Sequence, residues 1–206
     1  MTPPAAGPPP DRSVVLVGIM GTGKSTVAGL LGGMLGLGAV DTDQLVEGRA
    51  GRTVAEIFKE DGEAGFRVAE ARAIAEVGEM AGPLVVSVGG GAVLAPTNRS
   101  AMRALGTVVW LRARPATLAE RLRADHDRPL LSTGPGNPRG ATTAHDILVR
   151  LSTERRPLYE EVADIVVDVD DLSAPEVARR VADALTEREA PAAGPGNAGG
   201  RRQPDH

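Results

Sequence analysis

The sequence predicts an α/β fold, a five-stranded parallel sheet with helices on both faces in three α/β/α layers. Three observations predict it. Short β-branched runs alternate with longer segments whose apolar residues recur at helical spacing. The runs are apolar along nearly their whole length, as strands covered on both faces must be. A glycine-rich loop joins the first run to the first helical segment, the arrangement of a strand–loop–helix unit.

In chain order, Ser13–Val17 is almost wholly apolar and reads as the first strand. Residues 25–35 have helical spacing, and 37–40 form a second short strand. Thr53 is a candidate N-cap with Glu56 three residues on, so a helix opens over 53–58 and resumes over 63–80. Residues 84–88, 107–111 and 165–169 are further buried-type strands. Helices are expected over 115–124, 143–162 and 175–187.

Residues 1–11 hold five of the 16 prolines and lack the basic and apolar regions of a signal peptide. They read as a disordered extension, and the Pro, Gly and Ala-rich stretch 189–206 as a disordered tail. The body, 12–188, is then the length of one domain.

Composition narrows the function. The 206 residues carry 27 acidic and 23 basic side chains, a net charge of −4, and no cysteine. A disulfide scaffold and a thiolate metal site are excluded. Phe58, Phe66, Trp110 and Tyr159 are all the aromatic residues there are. An acidic chain with so few stacking platforms is a poor nucleic-acid binder. No apolar run approaches the ~18 residues of a membrane span. A cytoplasmic monomer acting on a small molecule is expected.

Gly18-Ile19-Met20-Gly21-Thr22-Gly23-Lys24-Ser25 fits G-x-x-x-x-G-K-[ST] between a predicted strand and helix. Glycines let the backbone wrap so that N–H groups and the helix N-terminus face phosphate oxygens. Gly21, Thr22, Gly23, Lys24, Ser25 and Thr26 are the expected nucleotide contacts, with Lys24 offsetting β/γ charge and Ser25 ligating Mg²⁺. ATP is favoured over GTP, because guanine readers use N-K-x-D and the other lysine, Lys59, follows Phe58. Gly21 and Gly23 are followed by Thr26 where a dinucleotide fingerprint needs a third glycine.

Asp41 and Asp43 follow the second strand, at the carboxyl edge where open α/β sheets bind ligands. Asp41 could hold magnesium and Asp43 take a proton from a substrate hydroxyl; alternatively one or both cap the next helix. Asp168 is a rival for the metal. Gly89, Gly90 and Gly91 end the third strand, where they would admit a ligand close to the backbone. Arg67 and Glu70, three apart on a predicted helix, could pair; alone, such a pair is usually solvated.

Together with Asp61-Gly62-Glu63, Arg128-Pro129-Leu130-Leu131 and Arg155-Arg156-Pro157-Leu158-Tyr159, these blocks resemble the shikimate kinase family, in the family's order, from about Val14 to Val181. The resemblance implies transfer of the γ-phosphoryl group of ATP to the 3-hydroxyl of shikimate, with Mg²⁺. It implies that Arg67 and Arg155 bind the substrate carboxylate, Asp43 binds its hydroxyls as the base, and Gly89, Gly90 and Gly91 supply backbone contacts. Glu70 would orient Arg67, and Asp41 would lie near magnesium in preference to Asp168. Arg128 matches an arginine of a mobile lid at about 126–141, and Arg121 and Pro175 match residues flanking adenine. The chain departs from the family in a longer lid, 132–140, which includes Arg139. Other readings are a kinase for another hydroxylated acid such as gluconate, or a non-catalytic ATP-responsive binding protein.

Overall fold

The computed structural model describes residues 10–124 and 143–189. Most of the expected extension and tail, and all of the expected lid with Arg128 and Arg139, lie outside the described residues. Strands β1 (Ser13–Val17), β2 (Gly38–Asp41), β3 (Leu84–Ser87), β4 (Gly106–Arg112) and β5 (Ile165–Asp168) form one sheet, in order β2-β3-β1-β4-β5. Every pairing is parallel, with Val15 of β1 level with Val86 on one side and Val108 on the other. The expected sheet is thus present, with β2 shifted by one residue, β3 and β5 ending one residue early and β4 one residue longer at each end.

The central strand explains the layers. Successive side chains of a strand point to opposite faces. Val15 and Val17 join one apolar cluster, with Val86, Trp110, Met102, Leu148 and Tyr159. Val14 and Leu16 join the other, with Leu31, Val109, Leu111 and Val181. Helices α1 (Lys24–Leu35) and α8 (Ala174–Glu189) pack together over the second cluster. On the opposite face lie α4 (Gly62–Val77), α5 (Pro96–Leu105) and α7 (Ala144–Val162), while α6 (Pro115–Ala124) packs on α7. Each fully buried Val or Leu in these clusters contributes ~1.5–3 kcal/mol.

Two further helices form a third apolar cluster with α4. Thr42–Ala50 (α2) and Val54–Glu60 (α3) pack with α4 around Val46, Ile57, Phe66 and Ala73. The expected capping box is formed: the Thr53 side chain accepts from the Glu56 amide, and the Glu56 carboxylate accepts from the Thr53 amide. Helix α4 ends at Val77, short of the expected residue 80, because Gly78 caps it by donating to Ala75 and Glu76. Helix α7 continues through Pro157, which lies in its exposed portion.

Helix α5 has no counterpart in the sequence reading. Its run Pro-Thr-Asn-Arg-Ser looks like a loop, and its helical conformation starts at a proline in the first turn. Buried Asn98 and Met102 anchor it. No helix among the described residues is long and apolar enough to cross a membrane.

Candidate active site

Parallel pairing brings the carboxyl ends of all the strands to one edge, and the loops there carry the chemistry. The loop after β1 turns into α1 through Gly21 and Gly23, at φ 83° and 85°, which a side chain would strain. Gly23 caps α1 with no side-chain hydrogen bond. The N-terminus of α1 thus carries no side-chain cap, and the helix dipole favours an anion there.

A cavity of about 190 Å³ opens at this point, lined by Gly21, Gly23, Lys24, Ser25, Thr26, Arg121 and Leu122. Lys24 Nζ donates to the carbonyls of Gly18 at 2.9 Å and Ile19 at 3.1 Å, which holds the ammonium inside the loop. Thr22 is turned inward, its hydroxyl donating to the Ile19 carbonyl at 2.9 Å. Its side chain therefore braces the loop. Arg121 Nη2 donates to the Val169 carbonyl at 2.6 Å, tying α6 to the segment after β5. Pro175 is exposed in the first turn of α8 and does not line the cavity.

Asp41 takes the capping role considered for it and also meets Ser25. Its Oδ1 accepts from the amides of Asp43 and Gln44 as the N-cap of α2, while Oδ2 accepts from Ser25 Oγ at 2.6 Å. Two hard oxygen donors thus face the nucleotide loop together, a set that suits magnesium. Asp168 is instead committed to a two-point pair with Arg112, at 2.5 and 2.7 Å, between β4 and β5. Among the described residues no group of three or more acidic or imidazole side chains could hold a metal by itself. Magnesium shared between one or two carboxylates and nucleotide phosphates needs no such group.

The second half of the site gathers around Gly89-Gly90-Gly91. Arg67 Nη1 donates to Glu70 at 2.9 Å and Nη2 to Glu63 at 3.1 Å, so the plane of the guanidinium is set from two sides. Glu70 is 0% exposed, so this is not the solvated pair that the spacing alone would suggest. Burial raises its carboxyl above the ordinary glutamate range although Arg67 opposes the shift; neighbouring Asp43 adds to it. Burial also works against the charge on Arg67, but its bonds to Glu70 and Glu63 outweigh that and leave it more basic than usual. From α7, Arg155 Nη1 donates to the Gly90 carbonyl at 3.1 Å.

The three glycines also make room for neighbouring groups of the protein itself. A Cβ on Gly89 would lie 2.6 Å from Glu70 Oε1 and 2.8 Å from Asp43 Oδ1. On Gly91 it would strike the Arg67 guanidinium, and on Gly90 it would come within 3.0 Å of the Gly18 carbonyl. The missing side chains make room for the protein's own functional groups and for the nucleotide loop. Arg67, Glu70, Asp43 and Arg155 are thereby brought to one turn, although 112 positions separate Asp43 from Arg155.

Several supporting residues have no role in the sequence reading. Thr42 Oγ1 accepts from the Gly89 amide at 3.2 Å. The Tyr159 hydroxyl donates to the Gly90 carbonyl at 2.6 Å. Asn98 donates to the Ala92 carbonyl and Arg99 to that of Val93, so α5 fixes the 3₁₀ turn Ala92–Leu94 that follows the glycines. The placement of Tyr159 one helical turn after Arg155 was a usable signal for it. Asn98 and Arg99 gave none, since they lie on the unrecognised α5.

A family model described as shikimate kinase matches residues 20–186. The shikimate kinase of Symbiobacterium thermophilum is 46% identical over 179 residues, which cover 85% of this chain and 97% of that one. Among solved structures, shikimate kinase from Acinetobacter baumannii in complex with shikimate is similar with a TM-score of 0.78 and 30% identity, over 87% of this chain and 96% of that one. A gluconokinase from Sinorhizobium meliloti is similar with a TM-score of 0.50 and 19% identity, over 87% and 98%. A likeness at that identity concerns the fold alone.

Proposed function

The chain belongs to the shikimate kinase family and is an ATP-dependent kinase, and on that premise we propose how its residues divide the work of moving the γ-phosphoryl group of ATP to the 3-hydroxyl of shikimate. One observation carries the reading. Two guanidinium groups and two carboxylates meet at Gly89–91, and the nucleotide loop lies against the middle glycine of that turn.

The amides of the loop and of the first turn of α1 bind the phosphates, with Lys24 leaving the Gly18 and Ile19 carbonyls to offset charge on the group being moved. Ser25 and Asp41 would hold Mg²⁺, which supplies neutralisation of phosphate charge when bound. Arg67 and Arg155 grip the planar carboxylate of the acid as guanidinium forks. Glu70, held in the core, keeps Arg67 in the required orientation. Asp43 accepts the proton of the 3-hydroxyl as that oxygen bonds to the γ-phosphorus and the bond to the leaving ADP breaks. Arg121 and Pro175 remain the proposed adenine contacts, supported for Arg121 by its place in the nucleotide cavity. Arg128 is the proposed lid arginine, on the strength of its sequence block. The proposed protein is a cytoplasmic monomer working on a diffusible acid, with 12–188 as its kinase unit.

The test is ADP release with and without shikimate, beside direct nucleotide binding. Transfer is expected to fall by at least ~10²-fold in Asp43→Asn and Arg67→Ala, with ATP affinity retained. Full transfer in either variant, or gluconate serving as well as shikimate, contradicts the assignment.

A further inference from the structure

Tyr159 is the only tyrosine of the chain and one of its largest fully buried side chains. Its ring stacks on Trp110, with centroids 5.5 Å apart and planes 18° apart. Its hydroxyl donates to the Gly90 carbonyl at 2.6 Å, and Arg155 donates to the same oxygen at 3.1 Å. A carbonyl oxygen has two lone pairs, so both acceptor positions of Gly90 are filled. Arg155 Nε, by contrast, is buried with no hydrogen-bond partner among the described residues.

These contacts create a problem for binding that Tyr159 solves. An acid that takes Arg155 through Nη1 draws that nitrogen away from Gly90. Were the arginine the carbonyl's one donor, binding would leave a half-buried acceptor bare, and that penalty would be subtracted from affinity. The tyrosine keeps the oxygen satisfied in both states. Its ring is held by the Trp110 stack and by burial, and its hydroxyl also interacts with the Arg155 side chain.

We propose that Tyr159 is a positioning residue that keeps the Gly90 carbonyl satisfied while Arg155 passes to the substrate carboxylate, and so sets affinity for the acid rather than the rate of transfer. This rests on the reading of Arg155 as a carboxylate grip.

Steady-state kinetics of the full chain test it. Tyr159→Phe preserves the stacked ring and is expected to raise KM for shikimate roughly five- to tenfold, with kcat within about twofold and KM for ATP unchanged. In an Arg155→Ala background the same substitution is expected to add nothing, because no guanidinium then moves. An unchanged KM for shikimate in Tyr159→Phe, an equal rise in both KM values with a fall in kcat, or full additivity with Arg155→Ala overturns the proposal. Arg155→Ala by itself separates the layers: if it leaves KM for shikimate at the parent value, the carboxylate grip is wrong and the role of Tyr159 falls with it. A loss in Arg155→Ala beside a silent Tyr159→Phe removes the role of Tyr159 alone.

The unsubstituted fold gives a second readout. Ring-fluorinated tyrosine labels this one position, so its fluorine NMR signal is expected to shift on adding shikimate and to stay still in Arg155→Ala. A signal indifferent to saturating shikimate in the parent chain overturns the proposal.

Discussion

Glu70 shows how burial and function oppose each other in one side chain. Its carboxyl is held in the interior, one oxygen on Arg67 and the other beside Gly89, and burial raises its pKa. A carboxyl whose folded pKa lies above its unfolded value contributes stability that is fully present below the ordinary glutamate value, near ~4.3, and is lost as pH rises through the folded value. The unfolding free energy of the parent relative to Glu70→Gln is therefore expected to decline as pH is raised from about 4. Urea unfolding across that range checks it; a difference that is flat or grows with pH contradicts it. The sequence revealed that Arg67 and Glu70 could pair, but not that the pair is buried. Burial depends on Gly89 and Gly91, which are remote in the chain and leave the space that Glu70 and Arg67 occupy.

Among the elements, α1 tests which glycines are structural. Gly33 is exposed, and a Cβ there meets nothing within 4 Å. On Gly32 a Cβ would lie 2.8 Å from the Leu37 carbonyl, where the chain turns from α1 toward β2. Gly33→Ala is thus expected to stabilise the chain by ~0.5–1 kcal/mol, and Gly32→Ala to destabilise it by ~1–3 kcal/mol. Thermal or urea unfolding ranks them, and the opposite order would show that the approach of α1 to β2 is not tight. The strands and the long helices were legible because periodicity and β-branched runs are local signals. Helix α5 was not, because its opening Pro-Thr-Asn-Arg-Ser reads as a loop and its Asn98 and Arg99 bond to the turn after β3.

At the scale of the whole molecule, two ligand sites share one sheet edge and are joined through the contact of Gly90 with the nucleotide loop. A ligand that binds the folded state alone raises stability by ~2.7 kcal/mol at a hundred times its Kd, or about 5–10 °C in Tm for a chain of this size. ATP with Mg²⁺ and shikimate are each expected to raise Tm by that much. In Arg67→Ala the shift from shikimate is expected to vanish while that from ATP persists. Loss of both shifts, or survival of the shikimate shift, argues against two sites divided in this way.

From its own order of residues the chain determined the α/β class, the phosphate loop and its lysine, and the aspartates and arginines proposed for the acceptor, because each is written in a short run of neighbouring positions. Tertiary structure decided the rest. It set Asp41 on Ser25 and Asp168 on Arg112, buried Glu70, and gave Gly90 two donors from a helix some 65 residues further along the chain. Those outcomes depend on which strand lies beside which and how closely helices approach the sheet, and distances of that kind have no local signature.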